Sequence, residues 1–252
     1  MCVIIAGLGT PNVPQWELED ACTYNPDGFG WGILFEDGTL TQFNSLTGTV
    51  AVDKFLETAQ LPGIVAWLFH ARIATHGAVT VDNCHPFSVS RETLLAHNGV
   101  LPVQMPKGYK GSDSAYFAET LLPLWGGVNA LNHSETWSLL EEWMGHSKVA
   151  LLSSDPTAPM PLMILNEVLG KWEGDTWYSN TYHRMGYGVN PANVPRETTV
   201  TEYVEGCLWC DEITTIEGIC TNCYTCQECS HGADNCRCSY QWNEAEGIAT
   251  WR

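Results

Sequence analysis

Trp31-Gly32-Ile33-Leu34-Phe35-Glu36-Asp37-Gly38-Thr39-Leu40-Thr41-Gln42-Phe43 holds two apolar or β-branched runs, Trp31–Phe35 and Thr39–Phe43, on either side of Asp37-Gly38. Asp-Gly between such runs is the composition of a tight hairpin turn, because glycine takes the positive φ the turn needs. The two runs are therefore expected to pair antiparallel. Working outward, Val3–Ala6, Ile64–Arg72, Thr93–Ala96, Val149–Leu152, Pro161–Asn166 and Trp177–Asn180 are further short runs bounded by Gly, Pro, Asn or Asp, and they read as strands. Helical spacing is present where Ser112 can cap a segment with Phe117, Leu121 and Leu124 at i, i+4 and i+7. It recurs where Ser134 precedes Trp137, Leu140 and Met144, and more weakly over Val52–Ala59. Strands outnumber helices in sequential runs, so the expected class is α+β with mostly antiparallel sheets, not a parallel βαβ sheet. Gly28-Phe29-Gly30-Trp31-Gly32 lacks the final glycine of a dinucleotide fingerprint and opens a strand, not a helix.

The 252 residues suit one domain with an appendage or two small domains, and a hydrophobic fraction of 44% is enough for a packed core. No run approaches the roughly 20 apolar residues that span a bilayer, and the first residues lack a basic n-region. Membrane insertion and secretion are disfavoured, and a cytoplasmic location is expected. With 29 Asp plus Glu against 11 Lys plus Arg and a net charge of −18, the chain would repel a phosphate backbone, so no nucleic-acid partner is expected. Cysteine divides the chain more sharply than any linker: Cys2, Cys22 and Cys84 precede position 200, and the other eight lie between 207 and 238. Residues 188–206, with two Pro, two Asn and a run of Thr, read as a connector. The boundary is placed near Pro195, giving domains 1–195 and 196–252.

Cys2 is preceded only by the initiator Met1, and a side chain so small permits aminopeptidase removal of that methionine. The residue would then carry a thiol beside an α-amine whose pKa of ~7.7–8.0 leaves part of it an unprotonated base at neutral pH. By itself a penultimate cysteine is more often an inert buried thiol. It gains meaning from the blocks that follow it in order: Asn25-Pro26-Asp27-Gly28-Phe29-Gly30, His70-Ala71-Arg72-Ile73-Ala74-Thr75-His76-Gly77, Cys84-His85-Pro86-Phe87, His97-Asn98-Gly99 and Gly111-Ser112-Asp113. Together these resemble the class II glutamine amidotransferases, which are N-terminal nucleophile hydrolases, and most of all their short members in viral genomes, including bacteriophages.

The resemblance covers roughly residues 2–185 and implies an αββα four-layer sandwich, glutamine as substrate and no catalytic cofactor. Cys2 would attack the γ-carboxamide. Asn98, through its side-chain NH₂, and Gly99, through its backbone N–H, match the family's oxyanion hole. Arg72 matches the grip on the substrate carboxylate, suited by its planar fork. Asp113 matches the acceptor for the α-ammonium, and Thr75 and His76 the pocket floor behind Arg72. Each also has a plainer reading: Arg72 as the partner of a surface acid, Asp113 as a first-turn carboxylate on a helix dipole, Asn98-Gly99 as a tight turn. His70, His85 and His97 lie on separate expected strands and loops without ligand spacing, so no metal site is expected there. Two departures stand out. Ile73 replaces an aromatic residue of many larger relatives, and no synthase domain follows, so ammonia would pass to a separate acceptor enzyme or docking protein, or the site only hydrolyses.

In the tail, Cys207, Cys210, Cys220, Cys223, Cys226, Cys229, Cys236 and Cys238 form four close pairs. In a chain without a secretion signal this pattern points to two structural Zn²⁺ sites of Cys₄ type, with sequential or cross-braced wiring left open. From Arg196 to Arg252 three Arg face ten Asp plus Glu, which disfavours a DNA-reading finger and favours a staple or protein-docking module. The competing reading of the whole chain is a non-catalytic binding or structural protein that keeps Met1 and works through this tail.

Overall fold

The computed structural model describes residues 2–75 and 77–184, and in the tail four short strands, Thr215–Ile216, Ile219–Cys220, Tyr240–Asn243 and Ile248–Trp251. The expected connector, His76 and the zinc-ligand arrangement of the tail lie outside the described residues. The chain divides into two compact units, Met1–Asn190 and Pro191–Arg252. In the second unit Thr215–Ile216 pairs with Ile219–Cys220, and Tyr240–Asn243 pairs with Ile248–Trp251, both antiparallel.

The first unit contains two sheets. Strands β1 (Val3–Leu8), β2 (Phe29–Phe35), β3 (Leu40–Ser45), β4 (Ile64–Ala71), β9 (Lys171–Glu173) and β10 (Thr176–Tyr178) form one, in the order β3-β2-β4-β1-β10-β9. Strands β5 (Phe87–Ser90), β6 (Thr93–Asn98), β7 (Lys148–Ser153) and β8 (Leu162–Leu165) form the other in sequence order. Every pairing is antiparallel, and the expected hairpin joins β2 to β3 through Gly38 at φ +83°.

Period-two alternation sorts the side chains of each strand between two cores. Val3, Ile5, Trp67 and Phe69 point one way, into a core shared with Leu18, Val52 and Phe55 of helices α1 (Gln15–Tyr24) and α2 (Gly48–Thr58). Ile4, Ala6, Ala66 and Leu68 point the other way and meet Leu94, Ala96, Ala150 and Leu152 of the second sheet. On the far side of that sheet Leu95, Val149 and Leu151 pack with Phe117, Leu122, Leu140 and Met144 from the helical stretch 113–124 and the helix Ser134–Met144. The order of layers is helix, sheet, sheet, helix. Both faces of β1 and β4 are buried, which explains why they read as continuous apolar runs. Alanines and Gly32 line the middle layer, and a Cβ on Gly32 would lie 2.7 Å from Leu94 Cδ1, so this glycine sets how closely the sheets approach.

Three local expectations are corrected. Ser134 is the first residue of its helix, and His133 occupies the cap without a side-chain bond. Helix α2 begins at Gly48, four residues ahead of the expected start. Helix α1 and strands β5 and β9 had no sequence signal: α1 starts after Pro14 with no side-chain cap, and β9 spans only three residues. Ser112 does cap its helix, its Oγ accepting the Ala115 N–H at 3.1 Å, and Phe117–Leu121 within that stretch is π-helical.

Candidate active site

β1 runs antiparallel to both β4 and β10, so the residue before β1 emerges beside the residues that follow β4 and β10. Cys2 is that residue. Its thiol donates to Ile73 O and accepts the Ile73 N–H, each at 3.4 Å. On the opposite flank the Ser179 N–H donates to Ile4 O at 2.9 Å, and Asn180 Nδ2 donates to Cys2 O at 2.8 Å. Burial pushes the Cys2 thiol pKa up, outweighing the Ile73 N–H and the nearby positive charge of Arg72.

Arg72 is buried, and its backbone closes the neighbouring loop: Arg72 N–H donates to Gly28 O at 2.8 Å and Arg72 O accepts Asp27 N–H at 2.9 Å. Asp27 in turn accepts the Ala74 N–H at 2.8 Å. Gly28 sits at φ +152°, and a Cβ there would lie 2.6 Å from Cys84 Sγ, so the close turn behind Arg72 excludes any side chain. The guanidinium reaches Ala78 O at 3.3 Å, which also accepts from Asn83 Nδ2 at 3.0 Å. Asn83 Oδ1 accepts the Ser112 N–H at 3.1 Å. A single hydrogen-bonded frame thus carries Arg72 and the start of the helix that bears Asp113. Thr75 is exposed on the loop after Arg72, and His76 lies outside the described residues.

Asp113 is buried, with Oδ2 accepting the Leu101 N–H at 2.8 Å and Oδ1 accepting from Ser114 Oγ at 3.3 Å. An ionised carboxylate has about four acceptor positions, so capacity remains for a cation. Asn98 ends β6, two residues beyond the expected strand, and its Nδ2 donates to Ser179 Oγ at 2.9 Å. Gly99 has φ +141°, and a Cβ would lie 2.4 Å from Ser147 Oγ. Space and backbone conformation together require glycine there.

Cys2, Ile73, Asn98 and Ser179 are therefore linked at one end of the paired sheets, with Arg72 and Asp113 fixed through the adjoining loops. Ser179 and Asn180 were assigned no role from sequence. They entered only as the last two residues of the expected strand Trp177–Asn180, which in the fold ends at Tyr178.

The three histidines on separate segments come together in the fold. His70 and His85 stack with centroids 4.0 Å apart, and His85 lies 6.5 Å from His97. His70 Nε2 bonds His97 O at 3.1 Å, the His97 N–H donates to His85 Nδ1 at 3.0 Å, and His97 Nδ1 pairs with Ser114 Oγ at 2.7 Å. Burial lowers all three pKa values, His70 to about 3, His97 to about 4 and His85 well below its ordinary value. They are neutral at pH 7. Among the described residues no group of three or more His, Cys, Asp or Glu is arranged to hold a metal ion.

Residues 16–116 match the family model described as class-II glutamine amidotransferases. That span includes Arg72, Asn98, Gly99 and Asp113 and begins after Cys2. Two curated relatives are glutamine–fructose-6-phosphate aminotransferases. The one from Pseudomonas aeruginosa is 27% identical over 109 residues, 42% of this chain and 18% of its own length. The one from Methanococcus maripaludis is 28% identical over 103 residues, 40% of this chain and 17% of its own. The match thus spans less than a fifth of these relatives. Among solved structures, a glutamine aminotransferase class-II domain protein from Silicibacter pomeroyi aligns with 70% of this chain and 87% of its own at 17% identity and TM-score 0.36. The Bacillus subtilis glutamine phosphoribosylpyrophosphate amidotransferase aligns with 71% of this chain and 41% of its own at 13% identity and TM-score 0.39. Among the described residues no helix is long and apolar enough to cross a membrane.

Proposed function

We propose that the protein is a glutaminase of class II amidotransferase type on an N-terminal nucleophile hydrolase fold, with Cys2 as the nucleophile once Met1 is removed. The observation that carries this reading is the position of Cys2: its thiol lies against Ile73, and its backbone carbonyl accepts from Asn180, next to the Ser179 that also holds Asn98.

Because burial favours the neutral thiol, a base must take its proton as sulfur attacks. The freed α-amine of Cys2 would supply it, and sulfur would add to the γ-carboxamide carbon of glutamine. Asn98 and the Gly99 N–H would meet the oxyanion, where loss of a single donor typically costs about 10²–10³ in rate. The proton then passes from the α-ammonium to the leaving nitrogen, the C–N bond breaks, and ammonia departs from a γ-glutamyl thioester. Water attacks the thioester, restoring the thiol and releasing glutamate. Arg72 would hold the α-carboxylate and Asp113 the α-ammonium, while Thr75 and His76 shape the pocket. A γ-glutamyl amide with a larger amine is an alternative substrate, since the cleavage reads the glutamyl half.

Ammonia would go to a separate acceptor enzyme. The eight tail cysteines would bind two Zn²⁺ and give residues 196–252 a structural or docking role, with the amidotransferase-like domain at 1–195. A cytoplasmic setting, inside an infected host cell if the gene is viral, follows from the family resemblance.

The test is the intact denatured mass before and after exposure to an electrophilic glutamine analogue. Loss of Met1 and a single adduct that Cys2→Ala cannot form are expected. Retained Met1, or an adduct independent of Cys2, would sink the proposal and leave the tail as the working surface.

A further inference from the structure

We propose that Ser179 is a positioning residue of this site, whose hydroxyl decides which end of the Asn98 carboxamide is held and which is free. The inference rests on the reading of Asn98 as an oxyanion donor.

Ser179 directly follows β10 and is 1% exposed. Its N–H donates to Ile4 O at 2.9 Å and its Oγ accepts the Ile4 N–H at 2.8 Å, so both its backbone and its side chain are clamped two residues from Cys2. The same Oγ accepts from Asn98 Nδ2 at 2.9 Å. One hydroxyl therefore joins the strand that carries the nucleophile, in the six-stranded sheet, to the strand that carries the oxyanion donor, in the four-stranded sheet.

The Asn98 amide is satisfied at one end only. Its Oδ1 is buried and has no hydrogen-bond partner. Buried acceptors are rarely left unmade, and an orphaned one points to a second arrangement in which it is paired. A half-turn about the Cβ–Cγ bond exchanges Nδ2 and Oδ1 and needs no movement of any other heavy atom. Ser179 Oγ–H then donates to Oδ1 while Oγ keeps the Ile4 N–H, and the NH₂ group stands where the orphaned oxygen stood. Its N–H bonds are then no longer committed to Ser179.

The two arrangements differ in what they leave unpaired. One leaves a carbonyl oxygen, which repels an oxyanion; the other leaves a donor group, which can stabilise it. Only a group that both donates and accepts can hold Ile4 in either state and still serve Asn98 in both. A hydroxyl does this, and alanine serves neither partner.

A double-mutant cycle on the full-length protein tests the assignment, with wild type, Ser179→Ala, Asn98→Ala and the double variant. Glutamate release from glutamine and melting temperature are measured for each. Ser179→Ala is expected to lower kcat about 10- to 100-fold, part of what loss of an oxyanion donor costs, with KM for glutamine within about twofold. It should lower kcat no further once Asn98 is alanine. A residue that merely supports Ile4 would lower kcat by the same factor in both backgrounds, and that result overturns the proposal. So does wild-type kcat in Ser179→Ala. If the alanine form does not fold, Ser179→Cys, similar in size and a weak donor and acceptor, runs the same cycle with the same two readings. A wild-type protein that releases no glutamate removes the proposed function itself, whereas an active wild type indifferent to Ser179 removes only this inference.

Discussion

Among the described residues the fold buries histidines in two places and treats them differently. His70, His85 and His97 form a stack whose ring nitrogens bond only to backbone groups, to each other's segments and to Ser114, with His70 Nδ1 and His97 Nε2 unpartnered. His183, by contrast, sits in a charged cluster: its Nε2 lies 3.1 Å from the buried Glu17, which also accepts from Arg184 Nε. Arg184 Nη1 reaches Glu173 at 2.6 Å, and its guanidinium lies 4.2 Å over the Tyr178 ring. Burial alone would raise the Glu17 carboxyl, but the bonds from His183 and Arg184 hold it below its ordinary value. Burial with Glu17 nearby pushes the Tyr178 hydroxyl up to about 12. Buried charge is thus accepted where it staples the segment after β10 to α1. Next to Asp113 the fold instead keeps neutral rings.

Acid should break the neutral region first, and this is the largest expected effect. In the unfolded chain each histidine titrates near its ordinary value of 6.5, whereas the folded His70 and His97 resist protonation to about 3 and 4. Between those limits the unfolded chain binds more protons, so stability is fully present above about pH 6.5 and is lost as pH falls below it. One such proton is worth about 1.4 kcal/mol per pH unit, and three together about 4. Glu17, lowered from 4.5, contributes stability that is lost only below that value. The urea midpoint should therefore start to fall near pH 6.5, well before the charged cluster titrates. A midpoint that stays flat between pH 7.5 and 5 would remove the distinction between the two regions.

Substitution attacks the charged region more directly. Glu17→Ala leaves His183 and Arg184 facing an empty acceptor position, and breaking a buried pair costs about 3–5 kcal/mol. The partial exposure of Arg184 favours the lower end, about 3 kcal/mol. Glu17→Gln keeps one acceptor oxygen and should cost roughly half as much. Urea denaturation at pH 7.5 compares the two, and equal losses would mean that the charge of Glu17 is not what holds the segment.

Most of this layout was readable from local sequence, and the unread parts share a cause. The Asp37-Gly38 turn and the apolar runs announced eight of the ten strands of the first unit, because burial on both faces of β1 and β4 leaves an unmistakable pattern. Helix α1 was silent because Pro14 supplies no side-chain cap and Glu17, a buried carboxylate, interrupts its apolar face. Nothing near Glu17 in sequence says that His183 and Arg184 will bond to it. The same holds at the site. Gly99 was singled out only through the family resemblance, and its close approach to Ser147, 48 positions on, was not legible. Ser179 and the stacking of His70 on His85 depend on pairing between distant strands, which a single sequence does not display.

Ser114→Ala gives the smallest effect and the finest comparison. Ser114 Oγ is 2.7 Å from His97 Nδ1 and 3.3 Å from Asp113 Oδ1, so alanine removes one good hydrogen bond and one long one. His97 would then have neither ring nitrogen paired, since Nε2 already has no partner. Because the ring is neutral, the loss is that of an ordinary hydrogen bond, about 1 kcal/mol, or roughly 2–4 °C in melting temperature for a domain of this size. Asp113 keeps the Leu101 N–H and its place in the helix's first turn. Calorimetry beside Glu17→Ala supplies the contrast: deleting a partner of a buried charge should cost about three times as much as deleting a partner of a buried neutral ring. Equal losses would mean that the stack carries charge at neutral pH.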